Sequence, residues 1–201
     1  MNIKEMKQAV EILDKEWNLG KKESGAEGNI CAWIYLMEIL EESEKIIFYK
    51  ENGELIGFCG YAKWNSKKHL LRKKLAKMIK NKLMNSKKIK NKEAIKKYYE
   101  NYGYYAPKDI ETKFDGEISI LIVKEEEQNR GIGTKLLSEV FKLAKEDGLK
   151  KIQILTDESC NHKFYEKYNC KIVYETKIEN IESNIVGNKK FETAYVYEKE
   201  L

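Results

Sequence analysis

The sequence predicts an α/β fold in which a mixed sheet is flanked by helices. Three observations carry this. Two strand patterns meet at Asn52-Gly53, a strand, helix, strand run spans 117–156, and amphipathic helical patterns stand before and between them. A length of 201 residues suits one domain, residues 1–201, with a continuous core and room for one appended element at about 65–107.

In chain order, Met6 to Trp17 places Val10, Leu13 and Trp17 at helical spacing, and Cys31 to Glu42 does the same with Trp33, Leu36, Met37 and Leu40. Strands follow at Lys45–Lys50 and Leu55–Lys63. The Asn52-Gly53 pair between them tolerates positive φ at both positions and predicts an antiparallel hairpin. Two basic amphipathic helices come next, one on Leu71, Leu75, Met78, Ile79 and Leu83, the other on Ile95, Tyr98, Tyr99 and Tyr102. Gly103 and Pro107, the only proline, mark the return to a strand at Glu117–Lys124, whose run Ile118, Ile120, Leu121, Ile122, Val123 suggests burial on both faces. From about Gly133 to Asp147, Ile132, Leu136, Leu137, Val140, Phe141 and Ala144 form one helical stripe, with Gly148 as the stop. The strand Lys151–Thr156 completes a βαβ-like unit, which makes a parallel or splayed pair with its helix laid on the sheet. A short helix at His162–Tyr168 and strands at Lys171–Lys177 and Phe191–Glu198 close the chain.

Composition narrows the function classes. With 42% hydrophobic and 35% charged residues the chain is neither disordered nor membrane-embedded in character, despite a mean hydropathy of -0.66. No stretch approaches the roughly 18–20 apolar residues of a spanning helix, and charges interrupt any signal-peptide core in MNIKEMKQAVEIL, so the cytoplasm is the expected compartment. Cys31, Cys59, Cys160 and Cys170 include no CxxC pair and are expected as reduced thiols. His69 and His162 are the only histidines, both expected at the surface, and no metal site is expected. The net charge of +5 is uneven: residues 63–97 hold fifteen Lys or Arg and one acid, Glu93, a net +14 against -9 for the remainder.

The chemistry points to the turn after the strand that ends at Val123. Gly131 and Gly133 let backbone approach a pyrophosphate without an intervening Cβ, and the first turn of the following helix presents unpaired N–H groups and a partial positive charge. Thr134 adds a hydroxyl donor and Arg130 a cation nearby. Two competing templates fail. A dinucleotide fingerprint needs a third glycine where Leu136 stands, and a P-loop needs a glycine at Gln128 and a lysine at Thr134.

Gln128-x-x-Gly131-x-Gly133 resembles the [QR]xxGx[GA] cofactor motif of the GNAT superfamily of acetyl-coenzyme A-dependent N-acetyltransferases. Downstream, Phe164-Tyr165-Glu166-Lys167-Tyr168-Asn169-Cys170 resembles that family's FYEKxGF segment. The two, in this order and at this spacing, cover about residues 117–177 and are far more specific together than apart. The resemblance implies a mostly antiparallel sheet splayed at a central parallel pair, with a basic helical insertion, and an acyltransferase that moves acetyl from acetyl-coenzyme A to a small-molecule or peptide amine. It implies that backbone groups of Ile122 and Val123 pair with the pantetheine arm. Gln128, Asn129, Arg130, Gly131, Ile132, Gly133 and Thr134 take the pyrophosphate, and Asn161, Phe164 and Lys167 lie beside the far part of the cofactor. Tyr165 stands where many members place the acid that protonates the leaving thiolate; a phenol of pKa about 10 can serve a thiol of about 8.5, although packing is its alternative role. Glu117 is the candidate base, directly or through water, with Asp115 nearby as an alternative.

Two departures stand out. The family's Gly-Phe is Asn169-Cys170 here, which keeps a left-handed turn and alters its packing, and little chain precedes the first helix, so the family's opening strand is brief or absent. The basic insertion lies where the acceptor side of such a fold is assembled. Its helices can be solvated with their apolar stripe on the core or on a second subunit of a homodimer, can meet an anionic membrane, or can bind RNA phosphates. The last keeps a second class open: a non-catalytic RNA- or ribosome-associated protein on the same fold.

Overall fold

The computed structural model describes residues 2–17, 20–102, 107–177, 185–186, 189–190 and 192–201. Expectations placed on Gly103, on Phe191 and on the side chains of Tyr98, Tyr99 and Tyr102 fall outside the described residues.

Three helices open the chain: α1 (Ile3–Glu16), the single turn α2 (Lys21–Ser24) and α3 (Ile30–Glu42). Asn2 and Glu5 close a reciprocal capping box at the start of α1, with bonds of 2.9 and 2.7 Å. Among the described residues no strand precedes α1. The hairpin β1 (Lys45–Glu51) and β2 (Glu54–Lys63) turns at Asn52 and Gly53, with φ of 49° and 79°, as a primed turn demands. Then come α4 (Leu70–Met84), α5 (Lys92–Tyr102), the short α6 (Lys108–Glu111), β3 (Gly116–Val123), α7 (Ile132–Glu146), β4 (Lys151–Asp157), β5 (Lys171–Lys177), the two-residue strands β6 (Ile185–Val186) and β7 (Lys189–Lys190), and β8 (Thr193–Glu200). Pro107 caps α6 rather than leading straight into a strand.

Six strands form one sheet in the order β1-β2-β3-β4-β8-β5, antiparallel throughout except for β3 and β4. That parallel pair is joined only at Gly116–Ile152 and Glu117–Gln153, after which the strands diverge. Helices cover both faces. On one, α7 lays Leu136, Leu137, Val140 and Ala144 against Ile56, Cys59 and Tyr61; on the other, α1 and α3 pack Leu13, Leu36 and Ile39 against Phe58, Ile120 and Ile122. β2 is therefore buried on both sides, and each large apolar side chain so enclosed contributes roughly 1.5–3 kcal/mol. Gly116 is required where β3 crosses β2, because a Cβ there would lie 2.0 Å from the Ala62 carbonyl oxygen.

The insertion departs from its sequence pattern in one respect. Of the alternatives open for the apolar stripe, packing on this chain's core is not the one seen for Leu71, Leu75 and Met78, which are 83%, 51% and 62% exposed, while only Ala76 is fully buried on α4. The face carrying Lys73 and Lys80 turns inward: Lys80 reaches Glu38 on α3 at 3.6 Å and Lys73 reaches Glu44, just after α3, at 3.9 Å, while Lys77, 65% exposed, reaches Glu41 at 3.6 Å from the edge. These pairs answer part of the charge asymmetry within the protein.

Candidate active site

The divergence of β3 and β4 opens a cleft of about 1180 Å³. One wall is residues 117–123 of β3 with the N-terminus of α7; the other is residues 153–157 of β4 with Ser159, Cys160, Asn161, Phe164, Tyr165 and Lys167. The end of α1 flanks the turn before α7, where Glu16 receives the Glu125 N–H, and the end of α3, with Trp64 and α6, closes the far end. Every candidate site residue named from the sequence lines this cleft except Arg130 and the alternative base Asp115.

The turn into α7 is shaped by left-handed backbone at Asn129 (φ 63°) and Gly131 (φ 77°), the latter being the helix N-cap. This aims the N–H groups of Ile132, Gly133 and Thr134 at the cleft, with no carbonyl one turn back to receive them. A Cβ on Gly133 would sit 3.5 Å from the ring of Phe164, so the glycine keeps the floor of the cradle low. Gln128 turns back on the strand, its Nε2 donating to the Val123 carbonyl at 3.2 Å. Arg130 bonds Glu127 and, at 3.0 Å, Glu51 at the end of β1, which pins the turn to the hairpin. Both side chains brace the turn rather than project into the cleft.

Strand alternation decides which backbone groups of β3 are open. The Lys124 N–H donates to Ile56 at 3.0 Å, so Ile122 faces β2 with its N–H and carbonyl, and Leu121 and Val123 present theirs to the gap. Pairing with β2 skips Ser119, since Gly60 stands opposite Ile120 and Tyr61 opposite Ile118. This bulge turns the strand so that Glu117 and Ile120 come to the α3 side.

Tyr165 is held in the turn His162–Tyr168, between Phe164 (5.6 Å between rings) and Tyr197 (5.7 Å). Burial, and after it the nearby thiols of Cys160, Cys59 and Cys170, push its hydroxyl well above the usual phenol range and keep it protonated. Asn169 adopts the left-handed turn (φ 57°) and Cys170 is buried behind it. His162 is half-buried, contrary to expectation: its ring stacks on Tyr195 at 4.3 Å and Nδ1 bonds the Tyr197 hydroxyl at 3.0 Å.

Glu117 receives Gln153 Nε2 at 3.1 Å, and burial, despite that bond, raises its carboxyl above the ordinary value. Asp115 is differently placed. It accepts the backbone N–H groups of Lys151 (3.0 Å) and Lys150 (2.7 Å), which hold it below the usual carboxylate range and leave it outside the cleft. The residue that sequence reasoning missed is Glu42, the last of α3. It opens into the cleft, yet the surrounding walls, then the charges of Glu117 and Glu38, push it up to about 8. In the sequence it is one of three surface-like acids, Glu38, Glu41 and Glu42; the spacing of Glu38 and Glu42 on one face of a mainly apolar helix was the available signal.

Among the described residues no group of three or more His, Cys, Asp or Glu has the arrangement of a metal site, and no helix is long and apolar enough to cross a membrane. A model of the acetyltransferase (GNAT) family matches residues 6–169. No curated protein matches the chain. The fold is similar to that of solved structures at low identity. PH1933 from Pyrococcus horikoshii OT3 has a TM-score of 0.60 and 18% identity over 100% of this chain and 93% of that one. Ard1 from Thermoplasma volcanium has 0.53 and 13% over 96% and 93%. A GNAT family acetyltransferase from Elizabethkingia anophelis with acetyl-CoA bound has 0.51 and 18% over 92% and 89%.

Proposed function

Because the chain belongs to the acetyltransferase (GNAT) family, and so is an acyltransferase, we propose that it moves an acetyl group from acetyl-coenzyme A to a primary amine by direct attack on the thioester. The observation that carries this reading is the single cleft with a helix N-terminus at one end, carboxylates at the other and Tyr165 in its wall. The cofactor fits what lies there: orphan N–H groups at α7, an open backbone edge on β3, and a glycine floor at Gly133.

In this reading Ile132, Gly133 and Thr134 bind the pyrophosphate through backbone N–H groups, with the Thr134 hydroxyl and Lys167 beside them. Leu121 and Val123 pair with the pantetheine arm, while Ile122, Asn161 and Phe164 bound it sideways. Asn129, Gln128 and Arg130 hold the turn in shape. Acetyl-coenzyme A supplies a thioester whose sulfur leaves as a thiolate. Glu117, fixed by Gln153, takes the proton of the incoming amine directly or through water, with Glu42 beside it; carboxylates raised toward neutrality suit that work better than ordinary ones. As the N–C bond forms and the C–S bond breaks, Tyr165 gives its proton to the sulfur. A thiolate desolvated in the same cleft is a stronger base than in water, which offsets the raised affinity of Tyr165 for its proton.

The test is release of free thiol from acetyl-coenzyme A across a panel of primary amines, alongside calorimetric titration with coenzyme A. Amine-dependent release with saturable, stoichiometric binding is expected. Saturable binding without release for any amine, together with salt-dependent RNA binding through the lysines of α4 and α5, would replace this reading with the non-catalytic one.

A further inference from the structure

The end of the cleft away from α7 is acidic and aromatic. Glu42, Glu111 and Glu117 line it with Trp64, whose backbone N–H bonds the Asp115 carbonyl at 2.9 Å, and Glu38 stands one turn before Glu42 on α3. Some of this charge is answered within the protein, Glu38 by Lys80 at 3.6 Å. Glu42, Glu111 and Glu117 have no ion-pair partner among the described residues. They form one electrostatic group, since Glu117 acts on Glu42 and Glu111 on Glu117. A second, independent feature asks for a donor at the same place. Gln153 is 1% exposed and lines the cleft; its Nε2 is fixed on Glu117, and its Oε1 has no hydrogen-bond partner.

In the ionised form that proton transfer requires, Glu42 and Glu117 are not balanced by a monoamine. The reacting nitrogen has to be neutral when it attacks, so it cannot be the cation that compensates these acids. An ammonium elsewhere on the same acceptor can, and Trp64 at this end of the cleft suits its aliphatic stem and its charge. Resting on the acetyl-transfer reading above, we infer that the acceptor is a small aliphatic amine carrying two or more ammonium groups, held by Glu42, Glu111, Glu117 and Gln153 Oε1 while one terminal nitrogen is acetylated. Glu111 touches the distant ammonium and sets preference; it takes no part in proton transfer.

The experiment compares butylamine, 1,4-diaminobutane and spermidine as acceptors in the thiol-release assay, with calorimetric titration of spermidine in parallel. The di- and triamine should exceed butylamine about 10- to 100-fold in kcat/KM, the range of one charge-assisted hydrogen bond, and the margin should shrink in high salt. Glu111→Gln should narrow that margin, and Glu111→Asp, which keeps the charge, should restore most of it. Butylamine turned over within twofold of spermidine would overturn the inference while acetyl transfer stands. Saturable spermidine binding, weakened by Glu111→Gln but with no thiol released, would instead overturn the acetyl-transfer reading and leave the polycation site intact.

Discussion

Replacing Gly131 and Gly133 one at a time separates strain in the turn from contact with the cofactor. At Gly131, φ is +77° and an added Cβ meets nothing within 4 Å, so the cost of Gly131→Ala is conformational, about 1–2 kcal/mol for an L side chain in the left-handed region. In a chain of 201 residues that lowers the Tm by about 2–8 °C. Gly133 lies within α7, where alanine is favoured over glycine by about 0.5–1 kcal/mol, and its Cβ would make only an ordinary 3.5 Å contact with Phe164. Gly133→Ala should therefore hold or raise the Tm. Coenzyme A binding should weaken in both variants, because one tilts the N–H groups and the other raises a methyl beneath the pyrophosphate. Loss of one charge-assisted hydrogen bond corresponds to about 1.5–3 kcal/mol, or about 10- to 100-fold in Kd. Thermal unfolding and calorimetric titration with coenzyme A read the two effects apart. A Gly133→Ala protein that binds coenzyme A as tightly as the parent would refute the cradle.

Three further outcomes follow from the site. Tyr165→Phe should lower kcat about 10²- to 10⁴-fold with coenzyme A affinity unchanged, and turnover that survives it would remove the tyrosine from the proton path. The carboxylates Glu42 and Glu117 both hold protons more tightly than free glutamate, so kcat/KM should fall as pH drops through the range below about 8; Glu42→Gln removes one like charge and should move that acid limb to lower pH, checked by a pH–rate profile with a single acceptor. Asp115 has a folded-state pKa below its unfolded value, so its contribution to stability is present above about pH 3.8 and lost as pH falls through the folded value. Asp115→Asn should consequently lower the Tm at neutral pH and converge with the parent at strongly acid pH.

Local pattern carried much of the architecture. Asn52-Gly53 can only turn one way between two strand patterns, the stripe from Ile132 to Ala144 has one buried face, and Gly148 (φ 84°) stops the helix where the sequence places the stop. The same locality fails on α4. Hydrophobic periodicity finds the stripe of Leu71, Leu75 and Met78 but not what it faces; Glu44, Glu41 and Glu38, with which Lys73, Lys77 and Lys80 pair, lie far away in sequence, and the stripe stands exposed. The short α6 was missed because a four-residue helix has too few turns to show a period.

The sequence by itself determined the donor end of the site: adjacent residues from Gln128 to Thr134 make the cradle, and short-range backbone geometry is enough to build it. It also placed Tyr165, in the segment that follows β4. What only the tertiary structure decided is the acceptor end. Glu42, Glu111 and Glu117 come from a helix end, a single turn and a strand start, separated by about 70 residues of chain between the first two, and they share a cleft because β3 bulges at Ser119 and parts from β4 after Gln153. The raised proton affinities of Glu42 and Glu117 arise from that convergence, because electrostatics acts through space and no spacing along the chain encodes it.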